Sequence, residues 1–210
     1  MEFQVIHPVG SVHIPLSSLK FVTKVQDVMA KNPDKKYAFY CNGITCLKSY
    51  KATRKMINTG CKTCYVYDAG IPEWAEIYPK LTMLLNEKVS ESKLGFIPKA
   101  DFKKKCLPFE KFLIESAAKG SLLIDARDYI QASSKLLGME KAKRFSFSTL
   151  IPMIIKKKKH QDKTLYIFDQ VGKQVRWLMY YLEKYGYKNY YFLSKGATGV
   201  LKSQKYRGKL

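Results

Sequence analysis

Two stretches of this 210-residue chain spell the same local pattern in the same order, and that repeat restricts the folds open to it more than any other feature. Lys35–Cys41 (K-K-Y-A-F-Y-C) is answered by Lys163–Asp169 (K-T-L-Y-I-F-D), each a short apolar and aromatic run with the composition of a buried strand. A helical stretch follows in both copies, Ser49–Gly60 and Val175–Gly186, with the glycine as its stop. A second strand and a further glycine close each copy: Tyr65–Tyr67 with Gly70, and Tyr190–Leu193 with Gly196. Cys41 aligns with Asp169 at an offset of 128, whereas Gly60 with Gly186 and Gly70 with Gly196 align at 126. The first loop is therefore two residues longer than the second, and everything after it stays in step. Strands alternating with helices in both halves call for an α/β fold of two small, mostly parallel sheets flanked by helices, with ligands expected at the carboxyl ends of strands.

Cys41 stands at such an end. Asn42-Gly43 makes a tight loop after it, and Ser49 is the expected N-cap of the helix beyond. A cysteine between a strand end and a helix N-terminus lies where backbone N–H groups and the helix dipole favour an anion. Such surroundings lower a thiol's pKa from about 8.5 and make the thiolate the resident form. The plainer reading of a lone strand cysteine is burial as a small hydrophobe.

The flanking segments decide between the two. Gly10–Leu19 (G-S-V-H-I-P-L-S-S-L) precedes the strand, and Cys64–Trp74 (C-Y-V-Y-D-A-G-I-P-E-W) follows the helix. Together with the cysteine loop, over residues 2–80, this order resembles the rhodanese family of sulfurtransferases. The loop form C-x-G-x-x-C-x-x-S is similar to a subgroup with a longer active loop. The resemblance implies Cys41 as the sulfur-carrying nucleophile and Asn42, Gly43, Ile44, Thr45, Cys46, Leu47, Lys48 and Ser49 as the loop that holds the anionic sulfur. Cys46 departs from the usual pattern, which has a basic residue in the loop. Two roles stay open for it: a resolving thiol that attacks the persulfide, or a residue that merely lines the loop.

The same resemblance divides the chain into an N-terminal domain over 1–83, a connection over 84–106 and a C-terminal domain over 107–210. In the second, Pro108 and Gly120 bound a helix, and the strand from Leu122 ends in Asp125-Ala126-Arg127. The family's first strand carries an Asp-x-Arg of this kind; the first domain starts at Glu2-Phe3, beyond it, and is expected to lack that front strand. Phe145–Leu150 takes the place of the H-I-P segment. Asp169 stands where the nucleophile would be and cannot carry sulfane sulfur, so the second site reads as degenerate, with Arg176 expected to pair with Asp169 or Asp125.

Other classes fit less well. A phosphatase of the related cysteine-loop type needs an arginine six positions after the cysteine, where Leu47 stands. Cys41, Cys46, Cys61 and Cys64 suggest a four-thiolate zinc site, but the first two already have a chemical use and Cys64 falls at a strand position, so no metal or other cofactor is assigned. Five scattered cysteines argue against a disulfide framework and for reduced thiols. The net charge of +21 is carried mostly by lysine, which suits a small anionic sulfur donor, with a thiol or sulfur-carrier protein as acceptor. Only five arginines are present and no nucleic-acid motif, so specific nucleic-acid binding is not expected. No apolar run reaches the roughly 18–20 residues of a membrane span. M-E-F-Q-V has no signal-peptide character, so the expected compartment is the cytoplasm, or the periplasm if a signal lies upstream. A non-catalytic or redox-sensing regulator of the same family is the alternative function.

Overall fold

The computed structural model describes residues 2–43, 46–92, 95–127 and 136–207. The chain separates into two compact units, Phe3–Gly95 and Phe96–Leu210 with Met1–Glu2.

The N-terminal unit begins with a helical turn α1 (Glu2–Val5) and strand β1 (Ile6–Pro8). Helix α2 (Phe21–Ala30), strand β2 (Tyr37–Tyr40), helix α3 (Lys48–Ile57), strand β3 (Cys64–Tyr67) and helix α4 (Gly70–Ile77) follow. β2 and β3 are parallel, with Tyr37 beside Cys64 and Tyr40 beside Tyr67. Strands β4 (Thr82–Leu84) and β5 (Glu87–Lys88) return antiparallel, β4 pairing Leu84 with Ile6 of β1. This unit thus holds a two-stranded parallel sheet and a separate three-stranded antiparallel one, rather than the single mostly parallel sheet expected. The antiparallel hairpin is short and partly charged, so it leaves no apolar alternation to read.

α3 forms because Ala52, Thr53 and Met56 place one buried stripe at helical spacing while Lys51, Arg54 and Lys55 face water. That stripe packs with Phe21 and Val25 of α2 and with Cys64. The Thr53 hydroxyl donates to Ser49 O (3.0 Å) and to Tyr65 O (3.2 Å), fastening the start of the helix to β3.

The C-terminal unit carries helix α5 (Lys99–Lys104), strand β6 (Cys106–Leu107), helix α6 (Phe109–Ser116), strand β7 (Ser121–Asp125) and strand β8 (Lys143–Arg144). After a turn α7 (Phe147–Leu150), continued by a π-helical turn over Ile151–Ile155, come strand β9 (Thr164–Phe168), helix α8 (Val175–Lys184), strand β10 (Tyr190–Leu193) and helix α9 (Gly196–Arg207). Its five strands are all parallel, in the order β6-β10-β9-β7-β8. Both faces of β9 are buried, which is why T-L-Y-I-F is apolar throughout rather than alternating. Residues 84–106 are not a free connection: β5 belongs to the first unit, whereas α5 and β6 are built into the second.

The repeat is visible in individual hydrogen bonds. Tyr37 N–H donates to Thr63 O and Leu165 N–H to Asn189 O; Cys61 N–H donates to Met56 O and Tyr187 N–H to Leu182 O. Both pairs fall on the offsets read from the sequence.

Candidate active site

Cys41 follows the last residue of β2, half-buried, and its carbonyl accepts the Ile71 N–H at 2.9 Å. Asp169 follows β9 in the same way and accepts the Ala197 N–H at 2.9 Å. Gly70 and Gly196 make these bonds possible. Both have positive φ, and a Cβ on Gly70 would lie 2.1 Å from Gly43 N and 2.5 Å from Cys41 O. A Cβ on Gly196 would meet Asp169 O and Gly172 N at 2.5 and 2.6 Å.

The two loops then part ways. In the second, the buried Asp169 carboxylate turns back into its own loop and accepts four backbone N–H groups: Val171 (3.0 Å), Gly172, Gln174 (2.6 Å) and Val175 (3.1 Å). The amides after a strand end thus converge on an anion, and α8 begins directly beyond them. In the first loop, Cys41 is joined to Cys46 by a disulfide with the Cα atoms 6.2 Å apart. Cys46 N–H donates to Gly43 O at 2.8 Å, and Ser49 Oγ donates to Cys46 O at 3.4 Å. Ser49 is buried in the first turn of α3; Leu47, not Ser49, is the N-cap, so the expected cap is displaced by two residues. Lys48 and Leu47 stand exposed at the mouth, and Asn42 and Gly43 form the bend. Ile44 and Thr45 lie outside the described residues.

The expectation of reduced thiols is corrected. Cys61 and Cys64 also form a disulfide, and only Cys106 is a free cysteine. Each bridge closes a loop of a few residues, so neither ties distant elements together. Parallel register puts Cys41 past Tyr40 and Cys64 beside Tyr37, at opposite ends of the β2–β3 pair and about 10 Å apart along the strands, too far for one zinc ion. Cys106 differs from Cys41 in kind: burial, aided by the negative charge of Asp169, pushes its thiol up to about 11.

Arg176 does not pair as expected. Asp125 is held instead by Arg127, with Nε donating to Oδ1 at 2.9 Å and Nη2 to Oδ2 at 2.8 Å, while Arg144 Nε stands 3.9 Å away. Arg176 lies over the Trp177 ring, 5.4 Å from its centroid, and its Nε is buried without a hydrogen-bond partner. Sequence reading missed a cavity of about 180 Å³ beside β2, lined by Pro8, Ser11, Ala38, Tyr40, Tyr67 and Trp74. Trp74, expected as core, is half-buried, packs edge-on against Tyr67 and lines that cavity. The signal for it was the run of aromatics at the carboxyl ends of both strands.

The N-terminal unit is thus an α/β domain that presents a cysteine in a loop between a parallel strand and a helix. Residues 1–77, which take in this loop and α4, match the family model of the rhodanese-like domain, and that stretch of the chain is a rhodanese-like domain. Among curated proteins, none matches the chain. A solved structure titled thiosulfate sulfurtransferase from Pseudomonas aeruginosa is similar at 17% identity and a TM-score of 0.41, over 96% of this chain. The chain spans 37% of the length of that structure. Among the described residues, no helix is long and apolar enough to cross a membrane.

Proposed function

We propose that the N-terminal unit is a sulfurtransferase that works through a Cys41 persulfide. The observation that carries this reading is the pairing of equivalent loops: where the second loop gathers four amides around the Asp169 carboxylate, the first offers Cys41 at the corresponding strand end. Main-chain amides arranged in that way stabilise a thiolate and the anionic sulfur it acquires.

The cycle starts from the reduced pair. The Cys41 thiolate attacks the outer sulfur of thiosulfate, the S–S bond of the donor breaks, and sulfite leaves with its electron pair. A thiolate acceptor, on a small molecule or a carrier protein, then attacks the outer sulfur of the persulfide and restores the Cys41 thiolate. Cys46 supplies a second exit. Its thiolate attacks the Cys41 sulfur, hydrosulfide departs, and the Cys41–Cys46 disulfide forms, to be reduced by a dithiol. The bridge seen between these residues supports that reach. Excess positive charge favours anionic donors such as thiosulfate, and Lys48 adds to it at the mouth.

The same bridge favours a second reading, a redox-sensing regulator whose signal is the state of the Cys41–Cys46 pair. The deciding experiment reduces the full chain, removes the reductant, adds thiosulfate and records the intact mass. One added sulfur atom, mapped to Cys41 and discharged by cyanide, is the expected result. An unchanged mass with a readily reversible disulfide would leave the regulatory reading.

A further inference from the structure

We propose that the outer edge of β2 is a docking site for an extended segment of a partner polypeptide, which joins as a parallel strand. Among the described residues, β2 pairs with β3 alone, whereas its counterpart β9 lies between β10 and β7. Tyr37 N–H is directed at β3, where it meets Thr63 O, so the N–H and C=O of the next residue, Ala38, are directed to the opposite side. Ala38 is exposed, and Tyr37–Tyr40 carries no charge, proline or bulge of the kind that guards a sheet edge.

Beside this edge lies the apolar cavity of about 180 Å³, with Ala38 and Tyr40 on one wall and Pro8 and Ser11 among the other lining residues. It is smaller than the roughly 300–1,000 Å³ of sites for drug-sized ligands, and its size suits one or two side chains of a strand.

The second unit supplies the template for the occupant. β7 runs S-L-L-I-D along β9, with Leu123 opposite Tyr166 and Asp125 opposite Phe168. At the offset of the repeat, Tyr166 corresponds to Ala38 and Phe168 to Tyr40. An incoming residue at the Leu123 position therefore faces Ala38 and the cavity. Lys35 and Lys36 stand exposed where such a strand would enter, so the fitting partner is an apolar segment preceded by acidic side chains. Main-chain bonds to the edge give affinity, and the cavity gives the choice of side chain.

The test uses the full chain and a synthetic peptide with the sequence of residues 121–127 (SLLIDAR) preceded by two glutamates. Hydrogen exchange should slow at the Ala38 amide by at least about tenfold when the peptide saturates, with the amides of α3 unmoved. Ala38→Lys, a change at an exposed position, should weaken binding at least about tenfold, and Ala38→Pro, which removes the outward N–H, should do the same. No binding at about 1 mM peptide would overturn the proposal, as would equal affinity for a scrambled peptide or for Ala38→Lys. A homodimer that Ala38→Pro dissolves would make a second copy the occupant and equally overturn it. None of these readouts depends on sulfur transfer.

Discussion

The loops after β2 and β9 are built on one plan and put to opposite uses. Each follows a parallel strand, each sends its first carbonyl to an amide of the next helix, and each leans on a glycine with positive φ. In the second, the side chain at the turning point fills the amide ring itself, so the loop is its own ligand. In the first, the corresponding side chain is a sulfur that closes on a neighbour in the same loop. One substitution at the strand end thus separates a permanent structural anion from a reactive one. The amide ring is a generic feature of the turn, and the residue placed in it decides whether the ring stabilises a fold or a chemical intermediate.

The largest effect should come from exchanging the two strand-end residues. Cys41→Ser should reduce thiosulfate-dependent sulfur uptake to background, read by intact mass and by a cyanide-coupled assay. Asp169→Ser should leave it within about twofold. Comparable losses from both changes would break the contrast. Gly70→Ala forces a Cβ to 2.1 Å from a backbone nitrogen and should abolish transfer. Gly196→Ala should instead destabilise the second unit by roughly 3 kcal/mol or more, as read from denaturant melts.

Asp169→Ala leaves four backbone donors with no carboxylate and should cost about 3 kcal/mol in the same melts. A cost under about 0.5 kcal/mol would mean that the amides find water and that the ring is not holding the fold.

The repeat, its offsets and the strand-end positions of Cys41 and Asp169 were all legible before any coordinates, because strand composition and glycine punctuation are local signals. The occupant of the second amide ring was not. Asp169 reads as a lost nucleophile, and only the direction of four N–H bonds turns it into an internal anion. Arg176 looked like its partner because opposite charges close in sequence invite pairing, yet α8 directs that guanidinium over Trp177. The two disulfides also escaped notice, since an odd count of scattered cysteines carries no information on which Cα atoms come within about 6 Å. The β4–β5 hairpin was invisible because its strands are too short for periodicity.

Smaller effects sharpen the difference between the cysteines. Replacing Cys61 and Cys64 by serine removes a bridge at the far end of the strands and should cost about 2 kcal/mol or less, with sulfur transfer unchanged within about twofold. Cys106 sets the pH scale. Burial disfavours its charged form and raises its pKa to about 11, so after reduction an alkylating agent at neutral pH should modify Cys41 first. Cys106 should become reactive only as the pH climbs toward that value. Fast modification of Cys106 near pH 7 would contradict its burial.

The short bridge between Cys41 and Cys46 also bears on survival under peroxide stress. A sulfur that has already bonded to its neighbour offers no lone thiolate for further oxygen insertion, so the irreversible sulfinic and sulfonic acids are kept out of reach. The resting chain is a protected reserve, returned to service by any dithiol that can enter the loop.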